Sequence, residues 1–149
     1  MPLYYKEIHS LTAFEIGLLL GLNGFFIFLL EMPLIHWLEH LKRSKIGLTV
    51  LGLLLTAISF LVINLTSWIG ILVIGILFMT IGEMIAFPFS NAFAMERAKK
   101  GKQGEYLSMY VMSFSIAHIF GHNIGLRLVD NLGYDNTWFI MLGLGFVGI

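Results

Sequence analysis

The run IGLTVLGLLLTAISFLVINLTSWIGILVIGILFMTIG, Ile46 to Gly82, contains no charged residue. It is too long for one membrane crossing, which takes about 20 apolar residues. Asn64-Leu65-Thr66-Ser67-Trp68 supplies the one polar break, with Trp68 as an interface anchor. The run therefore reads as two spans, at about 46–64 and 68–94. Thr49, Thr56 and Ser59 are the polar residues inside the first, which is expected to face lipid along most of its surface.

Working outward, the same pattern recurs on both sides. Thr12-Ala13-Phe14-Glu15 is a helix start, because a Thr cap with Glu three residues on can form a capping box. A helix over about 13–38 would rise about 39 Å, enough for a hydrocarbon core of about 30 Å. Gly17, Gly21 and Gly24 form a small-residue stripe on it, expected to pack closely against a neighbour, as are Gly121 and Gly125. Residues 1–12 suit an interfacial loop. A fourth span is expected at about 105–127, then a turn-rich connection from Arg127 to Asn136. A fifth, 137–149, rises about 20 Å, short of a full crossing. The reading is one all-α domain over 1–149, a polytopic transmembrane helix bundle of five spans with the last truncated.

Composition agrees. Of 149 residues, 58% are hydrophobic and 12% charged, with mean hydropathy +0.87. Soluble domains carry about 25% charged residues. No cysteine is present, which excludes thiol chemistry and a Cys metal site. No Gly-rich phosphate loop, nucleophile elbow or nucleic-acid surface appears. No enzymatic activity, cofactor or nucleic-acid partner is expected, and the surrounding partner is the lipid bilayer.

The zero net charge hides an asymmetry. Lys42, Arg43, Lys45, Arg97, Lys99, Lys100 and Lys102 crowd two loops, 39–45 and 95–105, leaving only Lys6 and Arg127 elsewhere. With five spans both loops fall on one side, and the positive-inside rule makes that side cytoplasmic and the N-terminus external. The expected location is the bacterial inner (plasma) membrane. An outside start without a signal peptide, with a shortened last span, suggests a fragment of a longer protein.

Polar residues within the spans are the candidates for function. Glu83, in Ile81-Gly82-Glu83-Met84-Ile85-Ala86-Phe87-Pro88, is a carboxylate at membrane depth, where insertion costs about 2.5–3.5 kcal/mol. Such a group normally faces a bundle interior or wet cavity. It reads as a proton- or cation-coupling group, or as a structural partner of a neighbouring helix end. Thr80, Phe87 and Asn91 share its side of the helix. Glu31, two residues before Pro33, suits a gate or a contact with a basic loop. Asn23 suits interhelical hydrogen bonding or a cavity contact. His118 and His122, one turn apart with Ser115 beside them, can titrate in a transport path or pack. They could bind a metal only with a third ligand, and none is evident nearby. Asn123 is a further cavity or gate candidate.

Three stretches resemble the major facilitator superfamily of transporters. Glu31-Met32-Pro33-Leu34-Ile35-His36-Trp37-Leu38-Glu39-His40-Leu41-Lys42-Arg43-Ser44-Lys45 is similar to the family's cytoplasmic loop signature, without its glycines. Gly82-Glu83 through Pro88 to Asn91 resembles the fourth helix of a six-helix half. Gly104-Glu105-Tyr106-Leu107-Ser108-Met109-Tyr110, followed by Gly121-His122-Asn123-Ile124-Gly125, resembles the next, with His122 where the family has proline. The resemblance implies a C-terminal half, starting in the seventh-to-eighth connection and ending inside the twelfth helix. It places 68–94 on a central cavity and 46–64 at the periphery. It further implies a secondary carrier working by alternating access with a missing N-terminal half, moving a small solute with protons, by export. Two other classes fit the residues: an intramembrane metal-dependent enzyme using Glu83 with His118 or His122, and a non-transporting assembly subunit.

Overall fold

The computed structural model describes residues 2–41, 43–65, 69–99 and 101–148. Five helices follow one another: α1 (Pro2–Glu7), α2 (Ala13–His40), α3 (Lys45–Asn64), α4 (Ile69–Glu96) and α5 (Gln103–Val147). No strand occurs among the described residues. Helices α2, α3 and α4 are long and apolar enough to cross a membrane. The 28 residues of α2 alone reach about 42 Å. The chain is an integral membrane protein built as an all-α bundle. The anchor expected at Trp68, and Lys42 and Lys100 of the charged loops, lie outside the described residues.

The first difference from expectation is at the N-terminus. Within the segment read as a loop, Pro2 opens a short helix, at the position where proline's missing N–H would be unpaired anyway. Burial of Tyr4 and Tyr5 holds that turn against the bundle. The chain then reverses at Ser10 (φ 53°) and enters α2 through the capping box the sequence predicts. The Glu15 N–H donates to Thr12 Oγ1 at 3.3 Å, and the Thr12 N–H donates to Glu15 Oε2 at 2.8 Å.

Close helix packing lies elsewhere than the sequence suggested. A Cβ built on Gly52 of α3 would stand 2.6 Å from the Ala86 nitrogen and 2.7 Å from the Gly82 carbonyl oxygen of α4. One built on Gly82 would collide with Thr56 Oγ1. Here backbone approaches backbone, as small residues allow within a membrane. By contrast, Cβ atoms on Gly17, Gly21, Gly24 and Gly121 would meet nothing within 4 Å, and one on Gly125 only Met141 Cε at 3.7 Å. Helix α2 meets α4 through another side, carrying Asn23 and, lower down, Leu34, Ile35 and Leu38.

Nor is α3 mostly turned to lipid. Leu48, Gly52, Ala57, Ser59 and Ile63 are buried, while Ile46, Leu51, Ile58 and Leu61 are exposed. Its hydroxyls make no demand on neighbours: Thr56 donates to the Gly52 carbonyl and Ser59 to that of Thr56. That frees the face to be buried between α4 and the end of α5, where Phe60 stacks on Trp138 at 5.6 Å and Ala57 abuts Gly145.

The connection expected over 127–136 is helical except at one residue. Gly133 (φ 77°, ψ 173°) interrupts α5 and divides it into arms 103–132 and 134–147, on which the fourth and fifth expected spans fall. That backbone region is open essentially to glycine alone. The turn-forming residues around it instead bond back along the helix: Asn131 Nδ2 donates to the Arg127 carbonyl and Asn136 Nδ2 to the Leu132 carbonyl. The first arm lies against α4 and the second against α3 and α1. Two apolar clusters close the ends of the bundle, one around Tyr4, Tyr5, Ile63, Leu72 and Trp138, the other around Leu38, Leu48, Ile85 and Phe89.

Candidate functional site

Helix α4 carries the polar groups in a column. Thr80 is buried, and its hydroxyl lies 2.7 Å from the Ile76 carbonyl while also meeting the Asn23 side chain from α2. A hydroxyl has a single proton. Both bonds form together when Thr80 donates to Ile76 and the Asn23 amide nitrogen donates to Thr80, the amide orientation being interchangeable. Asn23 thus ties α2 to α4.

Glu83 follows one turn below Thr80. Its side chain is half-buried, and no hydrogen bond or ion pair to it occurs among the described residues. Of the cations near the ends of α3 and α4, Lys45 pairs with Glu96 at 2.5 Å and Arg97 lies over the Phe93 ring at 4.6 Å. Among the described residues neither a helix end nor a cation holds the carboxyl.

One turn further along α4 a cleft of about 600 Å³ opens between three helices. Helix α2 contributes Glu31, Met32 and Ile35; α4 contributes Phe87, Pro88 and Asn91; the first arm of α5 contributes Tyr110, Val111, Phe114 and His118. The α5 wall is fixed by contacts to α4. The Tyr110 hydroxyl lies 2.7 Å from Ser90 Oγ, and the Phe114 ring sits edge-on to Phe87 at 5.3 Å and tilted against Tyr110 at 5.0 Å. The helices run antiparallel, pairing 90 with 110 and 87 with 114. One more turn of this register sets His118 level with Glu83, although no hydrogen bond joins them. The Asn91 side-chain oxygen is buried beside the cleft without a partner.

The structure thus brings Glu31, Asn91 and His118 together and leaves other candidates apart. His122, one turn from His118, lines a different cleft of about 510 Å³, under the bend at Gly133 with Tyr4, Tyr134 and Trp138. Asn123 is exposed and donates to the Ile119 carbonyl of its own helix. Ser115 likewise bonds back to Val111. Tyr110 and Phe114 were missed as site residues. The signal was there: 110, 114 and 118 recur at the one-turn spacing that makes a helix face.

The second cleft ends in an aromatic cluster at one end of the bundle, where Tyr4, Tyr5 and Tyr134 lie before or between the spans. Tyr4 packs edge-on to Tyr134 at 5.1 Å and to Trp138 at 5.2 Å, and the Tyr134 hydroxyl donates to Glu7 Oε2 at 2.6 Å. Burial, then the hydrogen bond to Glu7 and the charges of Glu7 and Asp130, push the Tyr134 phenol up to about 12. Burial, with Tyr4 beside it, pushes Tyr5 to about 12 as well.

Among the described residues no three of His, Asp and Glu gather closely enough to hold a metal ion. What the arrangement offers is a mixed polar and aromatic cleft at membrane depth, with an unpaired carboxyl one turn away.

Comparison with known proteins points the same way. Two relatives from Bacillus subtilis are both named as uncharacterized MFS-type transporters. YqjV is 24% identical over 139 residues, covering 88% of this chain and 33% of its own. YttB is 28% identical over 134 residues, covering 87% and 32%. The chain therefore spans about a third of the length of these curated relatives. No solved structure matches it. The family model of the Major Facilitator Superfamily matches residues 1–149, from end to end, and the chain belongs to that family.

Proposed function

We propose that the chain is part of the C-terminal half of a secondary carrier that moves a small solute by alternating access, driven by protons and in the direction of export. The bundle sits in the bacterial inner membrane with its N-terminus outside and loops 39–45 and 95–105 in the cytoplasm. An N-terminal half of the same protein completes the path. The observation that carries this reading is Glu83, half-buried on α4 with no partner among the described residues, one turn from a cleft walled by α2, α4 and α5. A carboxyl so placed is tolerated where it serves an ion or proton pathway. His118, level with it across the α4–α5 contact, is suited to relay the proton.

The cleft also weighs against a mere assembly subunit, which needs packing faces but no polar cavity. An intramembrane metalloenzyme using Glu83 with His118 or His122 would need a third ligand beside them, and among the described residues no three of His, Asp and Glu lie close enough to hold a metal ion.

The test is Glu83→Gln in the full-length carrier, reconstituted in vesicles. The variant is expected to bind solute but to lose solute-dependent proton flux. Proton-driven transport at normal rate and stoichiometry in this variant would make Glu83 structural and remove the coupling reading.

A further inference from the structure

The second cleft, of about 510 Å³, is walled by α1 and the two arms of α5, at the end of the bundle opposite loops 39–45 and 95–105. Its polar lining is Tyr4, His122, Tyr134, Thr137 and Trp138. Trp138 is only 7% exposed, and its Nε1–H has no partner among the described residues. His9, edge-on to Tyr4 at 5.3 Å, has a buried Nε2 in the same condition. Buried polar atoms that protein groups leave unpaired are met by ordered water. The cleft has room for many waters, each taking about 30 Å³. Its rim is acidic: Glu7 accepts from the Tyr134 hydroxyl, and the charges of Asp130 and Asp135 act on Tyr134 and Tyr4 respectively. Lys6 and Arg127 are the cations at this end, and neither lines the cleft.

Phenols keep their protons at neutral pH, so His122 is the side chain on these walls that gains and loses charge there. His118 follows one turn along, about 6 Å down the axis. It is exposed on the same face and lines the first cleft. The α4–α5 register sets it level with Glu83. The two clefts thus follow one another along one helix face, with an imidazole in each. We infer that the second cleft is the entrance for protons from outside, with His122 as the group that receives them. Hydronium in the cleft protonates His122. The imidazolium passes its proton to His118, directly or across one bridging water, and His118 delivers it to the Glu83 carboxylate, leaving both imidazoles neutral. The inference rests on the carrier reading above and supplies its outer leg.

The experiment uses the full-length protein in right-side-out membrane vesicles. The inside is strongly buffered at about pH 8, and the outside is stepped from about pH 8 to about pH 5, across the range where imidazole charges. Diethyl pyrocarbonate, which crosses bilayers and acylates neutral imidazole only, is the probe, read site by site by mass spectrometry. His36 and His40, at the other end of α2, are the controls for the inner pH. Modification of His122 is expected to fall about tenfold or more across the step while that of His36 and His40 stays constant. His118 should fall with His122 in the parent protein and stop following the outer pH in His122→Phe. A His122 that follows the inner pH, or neither side, overturns the inference, as does a His118 that still tracks outer acid in monodisperse His122→Phe. Should that variant fail to fold, the parent profile decides. If His122 follows the outer pH while Glu83→Gln transports normally, the entrance stands and Glu83 falls as the coupling group. If Glu83→Gln loses proton flux while His122 ignores the outer pH, the carrier reading stands and the entrance falls.

Discussion

Asn23 of α2 and Thr80 of α4 meet side chain to side chain inside the bundle, the one polar bond joining these two helices among the described residues. Interhelical hydrogen bonds in membranes contribute about 0.6 kcal/mol on average and up to about 1.7. Thr80→Val and Asn23→Leu are each expected to destabilise the protein by that order. The double variant should lose little more than either single one, because the two groups share one bond. Thermal unfolding of the purified protein in detergent checks both expectations.

The glycines give a sharper contrast. Gly82→Ala and Gly52→Ala force a methyl into backbone and Thr56 across the α3–α4 seam, and overpacking of this kind costs about 1–3 kcal/mol. Gly17→Ala and Gly21→Ala meet open space. Those changes should leave stability unchanged or raise it slightly, since Ala favours a helix by up to about 1 kcal/mol. The same unfolding assay ranks the four variants.

Gly133 should tolerate no substitution without penalty. Its φ of 77° with ψ of 173° belongs to a region closed to residues with a Cβ, where strain is of order 1–3 kcal/mol. Gly133→Ala is expected to lower stability by that amount, or to straighten α5 and pull Tyr134 away from Glu7. Cysteines placed at Glu7 and Tyr134 in the cysteine-free chain would report the second outcome as a lost cross-link.

Alkaline pH offers a fourth test. The phenols of Tyr5 and Tyr134 lie near 12 in the folded chain, against an ordinary value of 10.0. Each is raised, so the folded state holds its proton more tightly than the unfolded chain does. The stabilisation is whole below about pH 10 and is lost as pH climbs towards about 12. Tyrosinate absorbance should rise late, together with unfolding of the end of the bundle around Tyr4 and Tyr134. Tyr134→Phe should shrink the alkaline loss, leaving the Tyr5 part.

How much of this was legible follows from which forces are local. The bundle itself was written in the charge-free run of 46–82 and in the Thr12–Glu15 cap, because hydrophobic length and capping depend on neighbouring residues alone. Glycine stripes were not, since Gly17/Gly21 and Gly52/Gly82 look alike until a partner helix chooses between them. The break at Gly133 was signalled by turn-forming residues, but Asn131 and Asn136 spent their amides on helical carbonyls, confining it to one position. In the site, Glu31, Asn91 and His118 come from helices far apart in sequence. Their meeting depends on the α2–α4–α5 arrangement, and no spacing along the chain encodes it. His118 and His122 share a face by periodicity, yet the bend after 132 gives each its own cavity.

The seam at Gly52 and Gly82 has a consequence for motion. Main chain is laid on main chain there, and Leu48 packs on Ile85 and Phe89 beside it, so neither helix slides along the other without breaking that fit. Helices α3 and α4 are joined like the two halves of a splinted beam. The wall of the cleft least tied to that beam is then α2, held to it by a single polar tie and a short apolar contact, whereas the first arm of α5 is fastened through Tyr110 and Phe114.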